Sequence, residues 1–165
     1  MGDCEQFFIK VKTHFDFLFR DFGFYWSSNN EKNLVFSNCF VIIESDNCYV
    51  KIIKDRGNVL TEIGQRSENV ESYYIDHIID FINDDPSGEK RKKRQIQLFN
   101  RIDKSNVSDH IDYELISSAI KLKTYGEQIF DLFQKDTFQK TESELKGFIK
   151  KCREERFKKL SKKKV

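Results

Sequence analysis

Apolar positions change period along this chain, and the change divides it into elements. From Cys4 to Phe22 the large side chains Phe8, Val11, Phe15, Leu18, Phe19 and Phe22 fall at spacings of three and four, with Phe7 and Phe17 widening the stripe. That is the 3.6-residue period of one amphipathic helix. Gly23 stands just beyond it, where a left-handed C-cap residue closes a helix. The next forty residues change character. Phe24–Trp26, Leu34–Ser37, Phe40–Glu44, Tyr49–Lys54 and Val59–Ile63 are short runs of β-branched and aromatic residues, as strands require. Asp46-Asn47 and Asp55-Arg56-Gly57-Asn58 separate the last three with tight-turn chemistry, which dictates antiparallel order. With the first of these turns, position 39 faces position 54, so Cys39 and Cys48 are not expected to pair.

Helical spacing returns afterwards. Val70, Tyr74, His77, Ile78, Phe81 and Ile82 predict a helix ending before Pro86, the single proline. Asp84–Arg94 is polar and reads as a loop or an exposed helix start. A short stripe, Ile96, Phe99 and Ile102, follows. Leu115, Ala119, Leu122, Ile129, Phe130 and Phe133 predict a long helix over 111–133, weakened or bent at Gly126. Thr141-Glu-Ser-Glu144 reads as a capping box that opens a last helix. Leu145, Phe148, Ile149, Cys152 and Leu160 form its apolar side, and residues 158–165 are expected to fray. The expected fold is α+β: an N-terminal amphipathic helix on a four- or five-stranded antiparallel meander, then three or four helices. A length of 165 residues suits one domain. A boundary between 1–85 and 86–165 is the one possible subdivision.

Composition narrows the class. Hydrophobic residues make up 38% and charged residues 34%, too apolar for a disordered chain and too charged for a membrane protein. No apolar run approaches the ~18 residues of a membrane span. The acidic start lacks the basic region of a secretion signal, and Gln6 breaks the acylation pattern begun by Gly2 and Cys4. A cytoplasmic protein is therefore expected, with Cys4, Cys39, Cys48 and Cys152 reduced and serving as small buried hydrophobes. No membrane partner is expected.

Charge adds an asymmetry. The net charge is +2, but residues 1–86 carry 8 basic and 15 acidic groups while residues 87–165 carry 21 and 12. The halves stand at −7 and +9, so either they face charged partners or they satisfy one another. The acidic contribution concentrates at Glu68, Glu71, Asp76, Asp80, Asp84 and Asp85. Asp76, Asp80 and Asp84 fall at i, i+4 and i+8, on one helix face with no evident cation opposite. Glu71, Asp76, Asp80, Asp84 and Asp85 are thus candidates for contact with a basic protein. Lys90, Arg91, Lys92, Lys93 and Arg94 are five consecutive cations, and ten more lie between Lys146 and Lys164. Such runs release counterions from phosphates, so Lys90–Arg94 is the candidate polyanion contact.

Catalytic chemistry finds little footing. The chain has no Gly-x-Ser-x-Gly elbow, no phosphate loop and no dinucleotide fingerprint. His14, His77 and His110 lack metal-ligand spacing, and Arg101 and His110 are nine residues apart across a predicted break. No enzyme, cofactor or metal is expected.

The layout from the aromatic helix ending in Phe22-Gly23-Phe24, through Leu34-Val-Phe-Ser37, Phe40-Val-Ile-Ile-Glu44 and Tyr49-Val-Lys-Ile-Ile53, to Leu60-x-x-Ile63 resembles small bacterial immunity proteins of polymorphic and contact-dependent toxin systems. The resemblance covers residues 5–82. It implies a non-catalytic, cytoplasmic inhibitor that neutralises a cognate protein toxin by binding it. Many such proteins meet basic nuclease toxins with an acidic surface. The acidic first half fits that pattern and the basic second half departs from it. The alternative is a nucleic-acid-associated accessory protein acting through the basic loop and the C-terminal lysines.

Overall fold

The computed structural model describes residues 3–28, 34–35, 38–66 and 71–162. In chain order the elements are α1 (Asp3–His14), α2 (Asp16–Phe22), β1 (Tyr25–Trp26), β2 (Leu34–Val35), β3 (Asn38–Glu44), β4 (Cys48–Asp55), β5 (Asn58–Gln65), β6 (Tyr73–Tyr74), α3 (Ile75–Ile82), α4 (Glu89–Phe99), a 3-10 turn (Lys104–Asn106), α5 (His110–Leu132) and α6 (Phe138–Lys162). The strands form an antiparallel sheet in the order β1-β3-β4-β5-β6, with β2 also pairing along β3. The α+β architecture is as expected, and so is the register, which sets Cys39 opposite Lys54.

Strand alternation gives the sheet two unlike faces. Cys39, Val41 and Ile43 on β3, Cys48, Val50 and Ile52 on β4, and Thr61, Ile63 and Gln65 on β5 are all buried. α1, α2, α3, α5 and the start of α6 supply the rest of one core, whose members come from both sides of residue 86. Fully burying a single Leu, Ile or Phe stabilises by roughly 1.5–3 kcal/mol, so this shared core outweighs any surface charge effect.

Several elements differ from expectation. The first helix is broken at Phe15, which leaves helical geometry at φ −107° and ψ 12°. In an unbroken helix Phe17 would sit about 200° around the axis from Phe15; the break lets both rings reach the core, where their centroids lie 6.3 Å apart. Gly23 caps α2 with φ 69° as expected. Tyr73 and Tyr74, read as helical, form an edge strand on β5, because Tyr73 packs against Phe133 from the sheet's inner face. Of the two readings of Asp84–Arg94, the helix start holds for Lys90–Arg94, which lies in α4. Ile96 and Phe99 are exposed, while Leu98 and Ile102 are the buried positions there. α5 runs unbroken through Gly126, where a Cβ would stand 2.9 Å from the Phe22 ring, so this glycine admits an aromatic neighbour. α6 starts at Phe138. Thr141 lies inside it with its hydroxyl on the Thr137 carbonyl, so the expected capping box is interior helix. The helix persists to Lys162 instead of fraying from 158, and Leu160, assigned to its apolar side, is exposed.

The cysteines depart furthest. Cys4 and Cys39 form a disulfide that ties α1 to β3 across 35 residues, with Cα atoms 5.5 Å apart. The expectation of four reduced thiols fails because position 39 faces inward under the first turn of α1, a meeting that strand register alone does not reveal. Cys48 and Cys152 are free and buried. Gly2, Phe36, Ser37, Glu68, Val70 and residues 163–165 lie outside the described residues.

Candidate functional site

The acidic and basic segments singled out in the sequence meet each other. α3 presents Asp80 inward, 1% exposed, and the chain then reverses through Asp84, which takes φ 45°. α4 follows, and Arg91 and Arg94, one turn apart, point back toward α3. The Arg91 Nε donates to Asp80 Oδ2 at 3.0 Å and its Nη2 donates to the same oxygen. Arg94 Nη2 donates to Asp80 Oδ1 and, at 3.1 Å, to Asp85 Oδ2. Asp85, 3% exposed, also accepts the Arg91 backbone N–H at 3.0 Å and so anchors the first turn of α4. Burial alone would raise the Asp85 pKa. The bonds and charge of Arg94, with help from Ser87 and the Arg91 amide, outweigh it and hold the carboxyl below its ordinary value.

This cluster corrects the expected acidic face. Asp80 and Asp85 are internal and opposed by two cations. Asp84 has left the helix and is exposed away from that row. Asp76 is bound to Lys121 of α5 at 2.8 Å. Glu71 is exposed, 3.8 Å from Lys146 of α6. The basic run divides likewise: Arg91 and Arg94 turn inward, and Lys90, Lys92 and Lys93 remain exposed. A converse tie joins Lys10 of α1 to Asp109 at 2.7 Å and Asp112 at 3.1 Å. Asp112 is buried, which by itself would raise its pKa. Hydrogen bonds from the Ser108 side chain, Lys10, the Ser108 amide and His14 bring it down to about 2. Part of the opposite charge of the two halves, at Glu71, Asp76, Asp80 and Asp85, is therefore spent on cations of the second half.

The histidines are equally local. His14 lies 3.4 Å from Asp112, and His110 lies 3.3 Å from Glu114 one turn along α5. His77 is half-buried on α3, and burial, aided by Arg91 and Arg156, lowers its pKa against the pull of Asp80 and Asp76. Among the described residues no three His, Cys, Asp or Glu side chains are grouped to hold a metal ion.

What the sequence reading passed over is the outer face of the sheet. Cross-strand pairing arranges it in rows: Phe40, Ile53 and Leu60; then Ile42, Lys51, Glu62 and Tyr74; then Tyr25, Glu44, Tyr49 and Gly64. The helices that join the core pack on the opposite face, and Tyr25, Leu60 and Tyr74 are more than a third exposed. Lys51 lies 4.8 Å from the centre of the Phe40 ring, and Tyr49 lies over Gly64, where a Cβ would come within 2.4 Å of its ring. Arg66 spans the third row, with its guanidinium on the Tyr25 hydroxyl and 3.5 Å from Glu44. The Ser72 hydroxyl donates to Glu62 at 2.7 Å. The signal was present in the strict alternation of β3 and β4, whose outward positions are as apolar as polar.

No protein-family model matches the chain, and no curated protein and no solved structure does either. Among the described residues no helix is long and apolar enough to cross a membrane.

Proposed function

We propose that this chain is a non-catalytic protein-binding inhibitor of the immunity type, which neutralises a cognate protein toxin by covering it. One observation carries the reading: a sheet whose outer face sets Phe40, Ile53 and Leu60 in one row beneath Ile42, Tyr25, Tyr49 and Tyr74, bordered by Lys51, Glu62, Glu44 and Arg66. Interface centres favour aromatic and aliphatic anchors with charge at the rim. The docking surface in this reading is the sheet, and the carboxylates at 76–85 serve the fold.

The test is co-expression with the product of the adjacent gene. That product alone should arrest growth, and the intact chain should restore it. Phe40→Thr with Ile53→Thr keeps strand propensity while removing apolar area. It is expected to weaken binding at least about tenfold and abolish rescue, with an unchanged circular dichroism spectrum. Full rescue by that folded variant would remove the sheet face from the mechanism, and a harmless neighbour would remove the immunity reading.

A further inference from the structure

α6 passes β6 and α3 so as to leave a groove of about 300 Å³ lined by Glu71, Ser72, Tyr73, Tyr74, His77, Ile149 and three cations. The cations, Lys146, Lys150 and Arg153, lie at i, i+4 and i+7 on one side of α6. Lys146 is neutralised, 2.9 Å from Glu142 and 3.8 Å from Glu71. Lys150 and Arg153 have no carboxylate within ion-pair distance among the described residues. Two unpaired cations facing one groove repel each other and favour an anion between them. His77, whose pKa is lowered by burial and by Arg91 and Arg156, faces the same groove as a hydrogen-bonding group. Tyr74 is 44% exposed and stands edge-on to His77, with centroids 5.9 Å apart, leaving the rest of its ring open for stacking.

Tyr74 and His77 also border a separate hollow of about 220 Å³ whose wall includes Leu60, Thr61, Ser118 and the Asp76–Lys121 pair. Thr61 is 3% exposed, and its hydroxyl has no hydrogen-bond partner among the described residues. Buried hydroxyls almost always have one. Two cations without a carboxylate partner among the described residues and an exposed ring beside them call for a ligand that is anionic at one end and flat at the other. We propose that this groove binds a nucleotide unit, with its phosphate on Lys150 and Arg153 and its base against Tyr74. A free nucleotide and a single strand share this chemistry. The site shares Tyr74 with the outer sheet face but not Phe40 or Ile53, and its cations lie on α6, so the Lys150 and Arg153 variants test it apart from the inhibitor reading.

The test is fluorescence anisotropy of a labelled ten-residue oligothymidine with the full chain at fixed salt, competed by AMP and by inorganic phosphate. Lys150→Glu with Arg153→Glu is expected to weaken binding at least about tenfold, and the milder Lys150→Gln with Arg153→Gln about fivefold. Lys92→Glu with Lys93→Glu makes the same charge change on the exposed side of α4 and should cost less than about twofold. Tyr74→Ala should weaken the oligonucleotide and AMP at least about fivefold while leaving phosphate competition unchanged. Competition by AMP would identify the free nucleotide as sufficient; binding of the oligonucleotide alone would identify the strand. Equal losses from the α4 and α6 variants would reduce the effect to diffuse attraction and overturn the site, as would an unaffected Tyr74→Ala or no saturable binding.

Discussion

Two basic segments, Lys90–Arg94 and Lys146–Arg156, carry five cations each and use them differently. In the first, helical spacing sends Arg91 and Arg94 under the surface onto Asp80, whose side chain is 2% exposed, and onto Asp85. In the second, Lys150 and Arg153 line a groove with no carboxylate partner among the described residues. The first is a structural tie between the acidic and basic parts of the chain, and the second is available for a ligand. A charge run announces neither role. The role follows from whether the helix carrying the run turns its cations toward a buried carboxylate, which is a property of the packing partner.

The largest test of that contrast is at Asp80. Removing one member of a buried ion cluster leaves uncompensated charge, at a cost of about 3–5 kcal/mol. Asp80→Asn should therefore lower the unfolding free energy from urea denaturation by that amount. Lys92→Glu with Lys93→Glu, one residue away on the exposed side, should stay within about 0.5 kcal/mol. A loss below about 1 kcal/mol at Asp80 would reduce the cluster to an ordinary surface pair and erase the difference between the two runs.

The same contrast shows what could be read beforehand. The helix–sheet–helix order and the β3–β4 register were visible because alternation and turn chemistry are local. β6 was not, because a two-residue edge strand is made by β5 and Phe133, both distant in sequence. The Cys4–Cys39 bond required knowing which turn of α1 lies over β3. At the acidic segment the residues were recognised but their direction was not: Asp76, Asp80 and Asp84 share a face only if the helix continues, and α3 ends at Ile82. The outer sheet face was legible once register was known, yet helical stripes drew attention to the core.

Acid sharpens the comparison further, because it acts on the ties and leaves the α6 cations alone. Asp112 titrates at about 2 in the folded chain against an ordinary 3.8, and Asp85 is shifted in the same direction. A carboxylate with a depressed folded pKa stabilises fully above its unfolded value, and that stability is lost as pH falls through the folded pKa. The loss belongs between about pH 4 and pH 2, with Asp112 contributing on the order of 2 kcal/mol. Urea curves across that window should slope downward toward acid, and Asp112→Asn should flatten the slope. A wild-type slope in the variant would mean that the Lys10–Asp112–Ser108 network contributes no net stability.

The smallest expected effect is the most discriminating for the groove. If Lys150 and Arg153 are held for a ligand, they contribute nothing to the fold, and their mutual repulsion across one helical turn costs a few tenths of a kcal/mol. Lys150→Gln with Arg153→Gln should then leave the urea midpoint within about 0.5 kcal/mol of wild type, displaced toward greater stability, and the displacement should shrink as salt screens the repulsion. The opposite result, a loss above about 1 kcal/mol, would mean that these cations have structural partners of their own. The second basic run would then be a tie like the first, and the contrast with Arg91 and Arg94 would disappear.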